Sequence, residues 1–213
     1  MTTRTAVLAA LLVFAALIAP VSAPAKTDAR CGLSAGAVVG PDFPNDPDLR
    51  DEFPFLYHIT ANAKYYFLKV FSISGDLGYE YGQGAPKRFV LDGEEVELDG
   101  RGTSFWRAMP FWGTIRLEPF RKWIFAPYVG GAGGGRYLVL DRSGREREIA
   151  KSNSADEWLF GWMALAGFDV RLDDFFFLRL EAWYSSTEST SQEFFEEKDY
   201  GTTDVLAGLN IYF

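Results

Sequence analysis

Residues 55–67 alternate with a period of two. Phe55, Tyr57, Ile59, Ala61, Ala63, Tyr65 and Phe67 fall on one parity, and Leu56, His58, Thr60, Asn62, Lys64 and Tyr66 on the other. Because successive side chains of a strand point to opposite faces, this pattern predicts a β-strand with one apolar and one mostly polar face. Residues 70–83 repeat it, with Phe71, Ile73, Gly75, Leu77, Tyr79 and Tyr81 set against Ser72, Ser74, Asp76, Gly78 and Glu80. Only Leu68-Lys69 separates the two segments, so they form a hairpin. The same reading predicts strands near 31–40, 55–67, 70–83, 102–116, 124–140, 156–172, 175–188 and 200–213. Each is long enough to cross a bilayer at a tilt, which takes about 9–11 residues. The connections near Leu68-Lys69, Glu118 to Trp123 and Asp173-Asp174 are short, whereas 41–54, 84–101, 141–155 and 189–199 are long and rich in Pro, Gly and charge. Short turns at one end and long loops at the other predict an all-β fold, an eight-stranded antiparallel up-and-down transmembrane β-barrel.

The first 25 residues stand apart. Arg4 precedes an uncharged Ala/Leu/Val stretch from Ala6 to Ala19, and Ala23-Pro24-Ala25 supplies small residues ahead of Lys26. This predicts a secretory signal peptide over 1–25, cleaved after Ala25, with 26–213 as the barrel domain. No later apolar run reaches the ~18 residues a membrane helix needs. A soluble eight-stranded barrel of the lipocalin kind would show the same alternation, since the period does not say which face points inward. The polar parity is rich in small residues (Gly32, Ser34, Gly36, Ser72, Ser74, Gly78, Gly161, Gly167, Gly208), which suits a narrow interior. The other parity carries large side chains. Aromatic residues near strand ends, Trp106, Trp112, Trp158, Trp162, Tyr184 and Phe213, are expected in the interfacial girdles of the lipid-facing surface.

A composition of 48% hydrophobic and 23% charged residues is that of an ordered chain. The net charge of -8 argues against a nucleic-acid partner, whose phosphates require clustered Lys and Arg. A single cysteine, Cys31, cannot form an internal disulfide, and Asp28-Ala29-Arg30 before it lacks the small apolar residues of a lipidation signal; a free thiol is expected. A single histidine, His58, leaves no His-built zinc site and no Cys/His cluster, so neither a metal nor a cofactor is expected.

Turning the polar parity inward places Lys64, Asp76, Glu80, Arg107, Arg136, Asp169, Arg171, Arg179, Glu181 and Asp204 in the lumen, with Tyr66 and Met163. An eight-stranded interior is just wide enough to be filled by side chains, so opposite charges there should pair. If Leu172 faces Phe176 across the turn, Asp169 lies opposite Arg179; if Phe67 faces Phe71, His58 lies opposite Glu80. These are the two expected lumen ion pairs. The network reads either as a static plug or as a gated polar channel. In the loops, the acidic runs 92–99 and 193–199 read as solvated faces, with cation or basic-partner binding as the alternative. Arg142, Arg145, Arg147 and Lys151 form a basic cluster placed to meet lipopolysaccharide phosphates.

Three segments carry a resemblance: Phe125-Ala126-Pro127-Tyr128-Val129-Gly130-Gly131-Ala132-Gly133-Gly134-Gly135, then Leu165-Ala166-Gly167-Phe168-Asp169-Val170-Arg171-Leu172-Asp173-Asp174, and the ending Val205-Leu206-Ala207-Gly208-Leu209-Asn210-Ile211-Tyr212-Phe213. They resemble the outer-membrane β-barrel proteins that include OmpA-like barrels and opacity-type surface antigens. The resemblance implies residence in the cell outer membrane, contact with its lipid and lipopolysaccharide, and recognition of Leu209, Ile211 and Phe213 by the assembly machinery, with periplasmic chaperones as transient partners. Ile211 stands where the family's first terminal aromatic is expected, which weakens that signal. Small outer-membrane barrels also include lipid A deacylases, and His58 with Thr60 is faintly similar to their His-x-Ser arrangement. Parity, however, puts His58 in the lumen, away from lipid, so no catalytic residue is assigned. The expected function is structural and surface-interacting, through long extracellular loops that can take an external ligand. A narrow solute channel and, further off, a lipid A-modifying enzyme are the alternatives. N-terminal sequencing of protein purified from membranes should begin at Lys26; a chain still starting at Met1 would refute the cleavage site.

Overall fold

A computed structural model describes residues 32–68, 70–85, 88–91, 94–97, 103–121, 123–143, 153–188 and 199–213. The chain order is β1 (Leu33–Pro44), α1 (Pro47–Glu52), β2 (Leu56–Tyr66), β3 (Phe71–Gly84), β4 (Arg88–Leu91), β5 (Glu94–Glu97), β6 (Thr103–Leu117), β7 (Phe125–Ser143), β8 (Asn153–Arg171), β9 (Phe176–Glu188) and β10 (Thr202–Tyr212). Strands β1, β2, β3 and β6 to β10 form one closed antiparallel barrel in which each pairs with its sequence neighbours. Strands β4 and β5 form a separate hairpin within the long connection from β3 to β6. Closure is made by β1 and β10, from Ser34 opposite Tyr212 to Pro44 opposite Thr202, so no strand edge is left unpaired in the wall. Glycines permit this seam. A Cβ at Gly208 would overlap the Ala37 carbonyl oxygen, and one at Gly40 the Val205 carbonyl oxygen. The predicted signal peptide and Cys31 lie outside the described residues.

The turn end is short and internally bonded. Asp173 accepts the backbone N–H groups of Phe175 and Phe176, both at 2.7 Å, and these bonds hold its carboxyl below the usual carboxylate range. Arg171, predicted to point into the lumen, instead folds over this turn: it bonds the Asp173 carbonyl at 3.0 Å and pairs with Asp174. It is the last residue of β8, where the wall ends and water can solvate the guanidinium.

The outer face is apolar in the middle and aromatic at both rims. Val39, Ile59, Leu77, Ile115, Val129 and Leu209 form the exposed middle band. Toward the loop end, Trp158 contacts Phe111 and Tyr137 at 5.8 and 5.0 Å, and Trp162 contacts Tyr184 at 5.8 Å. Toward the turn end, Phe67 meets Phe71 at 6.3 Å and Phe125 meets Phe168 at 4.5 Å. Two aromatic girdles around an aliphatic band are what a transmembrane barrel presents to lipid. No helix among the described residues is long and apolar enough to cross a membrane; the strands do so. Strands β7 and β8, each 19 residues, run about 60 Å, well beyond an apolar band of about 25 Å even when tilted.

That overhang explains a second correction. Arg107, also expected in the lumen, is outside, 43% exposed and paired with Asp141 above the upper girdle. Its neighbours Trp106 and Trp112, expected in the lipid girdle, point inward and are 0% and 4% exposed. In β6 both parities are largely apolar, Phe105, Met109 and Phe111 against Trp106, Ala108 and Trp112, so alternation alone does not fix the inward face there. The lumen does, because it supplies an acceptor for the Trp106 indole N–H in Glu80 Oε2 at 3.2 Å.

Leu77 sits at mid-barrel, opposite Ala61 and Phe111. Leu77→Arg should lower folding stability by about 2–4 kcal/mol in lipid vesicles, measured by urea titration, whereas Arg107→Leu should change it by less than about 1 kcal/mol. Equal effects at the two positions would place the membrane band wrongly.

Candidate functional site

The interior is built in four alternating layers. At the turn end, Lys64 Nζ bonds Glu118 Oε1 at 3.0 Å, and Glu118 also accepts from Ser72 at 2.6 Å and Tyr66 at 3.1 Å. Arg121 lies 3.4 Å over the Tyr66 ring. Within the same polar layer, Arg179 makes a two-point contact with Asp169, Nε to Oδ1 at 2.9 Å and Nη2 to Oδ2 at 3.0 Å, and Tyr212 donates to Asp169 at 3.1 Å. Arg116 bridges Asp76 and Glu181 at 3.3 and 3.4 Å, with Thr114 donating to Asp76 and Tyr128 to Glu181. Lys64, Arg116 and Arg179 thus meet Asp76, Glu118, Asp169 and Glu181, so that every carboxylate of this layer has a cationic partner. A narrow, dry interior tolerates charge only when it is paired and hydrogen-bonded in this way.

Above it lies an apolar layer of Val38, Trp112, Tyr128, Met163, Leu165, Trp183 and Leu206. A second polar layer follows. His58 Nδ1 is 2.9 Å from Asp204 Oδ1, and its Nε2 is 2.5 Å from Thr60 Oγ1. Glu80 Oε2 receives Arg136 at 3.0 Å, and Arg136 also donates to Ser185 and Thr202. Asp42 is fully buried beside them. Gly78 makes the room: a Cβ there would press on Thr60, His58 and Pro110 at once.

The loop end is sealed by a second apolar cluster, Leu49, Phe53, Leu56, Trp106, Ala108, Leu138, Leu140, Leu159 and Tyr200. Its lid is α1, a helix within the 41–54 connection, whose composition predicts only a loop. Asp46 caps the helix by accepting from Asp48 and Leu49 backbone N–H, and Pro47 occupies the first turn. Leu49 and Phe53, four residues apart, then point into the mouth, Phe53 meeting Trp106 edge-on at 5.8 Å. The Asp-Pro start and the i, i+4 apolar pair were the available signals. Asn45 anchors the lid by donating from its side chain to the Ser185 carbonyl at 2.8 Å.

The structure brings Asp169 and Arg179 together across β8 and β9. It also sets His58 opposite Glu80 in register, yet their side chains take other partners, Asp204 for His58 and Arg136 for Glu80. The expected His58–Glu80 ion pair is therefore replaced by two different pairs. Asp42, which no parity argument singled out as a site residue, joins them; its signal was an acidic residue on the inward parity of β1. Leu209 and Phe213 are exposed on the outer face and Ile211 is half-buried there, with the Phe213 backbone N–H bonded to the Leu33 carbonyl at 2.9 Å. The side chains of the acidic run 92–99 and of Arg142, Arg145, Arg147 and Lys151 lie outside the described residues, as do 193–198.

Comparisons with known proteins agree with this architecture. The family model for the outer membrane protein beta-barrel domain matches residues 6–213. No curated protein sequence matches the chain. Among solved structures, neisserial surface protein A superposes with a TM-score of 0.55 at 11% identity, over 86% of this chain and 97% of its own. The attachment invasion locus protein Ail of Yersinia pestis gives 0.49 at 10% identity over 88% and 100%. OprG of Pseudomonas aeruginosa gives 0.48 at 15% over 86% and 97%. At such identities the first shares the fold and nothing finer.

Asp169→Ala should destabilise the barrel by about 3 kcal/mol, because it strands a buried guanidinium. Combining Asp169→Ala with Arg179→Met should recover part of that loss relative to the sum of the two single replacements. Urea unfolding followed by tryptophan fluorescence measures the cycle; strictly additive losses would show the two residues uncoupled.

Proposed function

The chain belongs to the outer membrane protein β-barrel domain family and resides in the cell outer membrane, and from that premise we propose that it is a closed, non-conducting barrel that displays its long loops to partners outside the cell. The observation that carries this reading is the stack of two polar and two apolar layers across the lumen, capped by Leu49 of α1 and by Phe53 directly after it. A solute path would have to cross Trp112 and Trp183, then Trp106 and Phe53, all buried in the axis of the barrel. Barrels of this family put short turns in the periplasm and long loops outside. The β3–β6 connection, with its own β4–β5 hairpin, and the overhanging ends of β7 and β8 then stand above the outer leaflet. Rigid staves with elaborated ends support interaction rather than transport.

Asp204, His58 and Thr60 form a carboxylate–imidazole–hydroxyl chain, the order in which a nucleophile is activated. His58 and Thr60 are each 1% exposed and lie between two apolar layers. A lipid substrate has no route to Thr60 Oγ1, so this chain serves packing and not catalysis. On the outside, lipid and lipopolysaccharide surround the band and girdles, and the outer-face row Leu209, Ile211 and Phe213 is the strand end offered to periplasmic chaperones and the assembly machinery.

Reconstitution in planar bilayers tests the reading: the protein should give no steady conductance, and neither should the Leu49→Ala, Phe53→Ala variant, because the lower layers remain. Steady, ion-selective current from the unaltered protein would overturn it. A Lys151→Cys variant in a Cys31→Ser background should react with a membrane-impermeant maleimide on whole cells, and His58→Ala should leave lipid A unchanged.

A further inference from the structure

The two polar layers differ in charge balance. In the lower one every carboxylate meets a cation, whereas the upper one sets Asp42, Glu80 and Asp204 against a single guanidinium, Arg136, which bonds only Glu80 among them. Its imidazole is held at Nδ1 by Asp204, while Nε2 rests against the Thr60 hydroxyl, a neutral partner that can be exchanged for another. Asp42 is 0% exposed, and neither of its carboxylate oxygens has a hydrogen-bond partner. A buried carboxylate left so is costly, and the cluster as a whole lacks two positive charges.

One ligand atom each from Asp42, His58 and Glu80 lies within 4.8 Å of the others. The centre of a triangle with such sides is at most about 2.8 Å from every corner (side divided by √3). Donors bind Zn²⁺ at about 2.0–2.2 Å, so a contraction of about 0.6 Å per side chain, with the Thr60 hydroxyl turned away from His58 Nε2, completes the contact. Asp204, bonded to His58 Nδ1, orients the ring as outer carboxylates do in metal sites.

We propose that Asp42, His58 and Glu80 form an internal divalent-cation site in the upper lumen, one that takes a first-row ion such as Zn²⁺ or Mn²⁺. The mixed imidazole–carboxylate donor set favours such ions over Ca²⁺ or Mg²⁺, which prefer all-oxygen cages. Charge accounting supports the same occupant, because one divalent ion brings the layer to neutrality. The ion links the adjacent strands β1, β2 and β3 on their inner face. Since apolar layers close the site on both sides, the ion enters while the barrel folds and leaves only when it unfolds. The count of one histidine excludes a His-built site, and this one needs only one.

The test is refolding of the full chain into detergent with a metal-free buffer, with added ZnCl₂ or with added MnCl₂. Bound metal is then measured after gel filtration and EDTA treatment, alongside the unfolding midpoint. About one ion per chain should survive EDTA while the barrel is folded, be released in denaturant, and raise the midpoint. Asp42→Asn, an isosteric change that removes charge, and His58→Gln should each lose the EDTA-resistant metal by about tenfold or more, with heat-dependent gel migration confirming that they fold. Metal stripped by EDTA from the folded barrel, or retained equally by both variants, overturns the proposal. So does a wild-type chain that folds without metal and gains stability from Asp42→Asn without any dependence on Zn²⁺ or Mn²⁺, since a proton then occupies the place assigned to the ion.

Discussion

The closed ladder of backbone hydrogen bonds is the constraint from which everything else follows. Hydrocarbon offers no partner to an amide or carbonyl, so the wall must pair every strand, and β1 must meet β10. Closure turns the two faces of every strand into an outside and an inside, so half of the side chains go outward to lipid and half into a space barely wide enough for them. The glycines at Gly40 and Gly208 serve that requirement, because a side chain at either would collide with the backbone across the seam.

Confinement then decides the chemistry of the interior. A charged group that would be unremarkable on a soluble surface has to find a partner inside the barrel, or be balanced by something brought in. The lower network does the first: Asp169 with Arg179, Lys64 with Glu118, and Arg116 between Asp76 and Glu181. The upper layer does not close in this way, and Asp42 is where the imbalance is felt. Apolar layers between and above the polar ones keep the two networks separate and block the axis. Tryptophan is suited to those layers because its N–H reaches a neighbouring carboxylate, Glu80 for Trp106 and Glu181 for Trp183 at 3.0 Å, while its ring fills the lumen.

The mouth shows how a loop becomes part of the barrel. Asp46 and Pro47 start a helix of six residues, which is too short to be stable alone. It persists because Leu49 and Phe53 bury themselves against Trp106 and because Asn45 is tied to β9. On the reading proposed above, the same closure denies passage along the axis and leaves the long connections to carry the interactions.

The eight barrel strands, their approximate limits, the alternation of short and long connections and the Asp169–Arg179 pairing were legible in the sequence, because a period of two and a tight turn fix which residues face each other, whereas the β4–β5 hairpin inside the 84–101 connection was not. Where both parities are apolar, as in β6, the sequence left the inward face undecided, and Trp106, Trp112 and Arg107 went to the opposite sides from those expected. Partner choice across the lumen was equally beyond it. Register places His58 beside Glu80, but Asp204 and Arg136 reach in from β10 and β7, and only the closed tertiary structure brings those strands to the same depth. The one-dimensional pattern thus determined the wall, since apart from the β1–β10 seam its pairings are between strands that follow one another around the barrel. Contacts across the axis join residues up to 146 positions apart, as in His58 and Asp204, and the geometry of closure alone decided them.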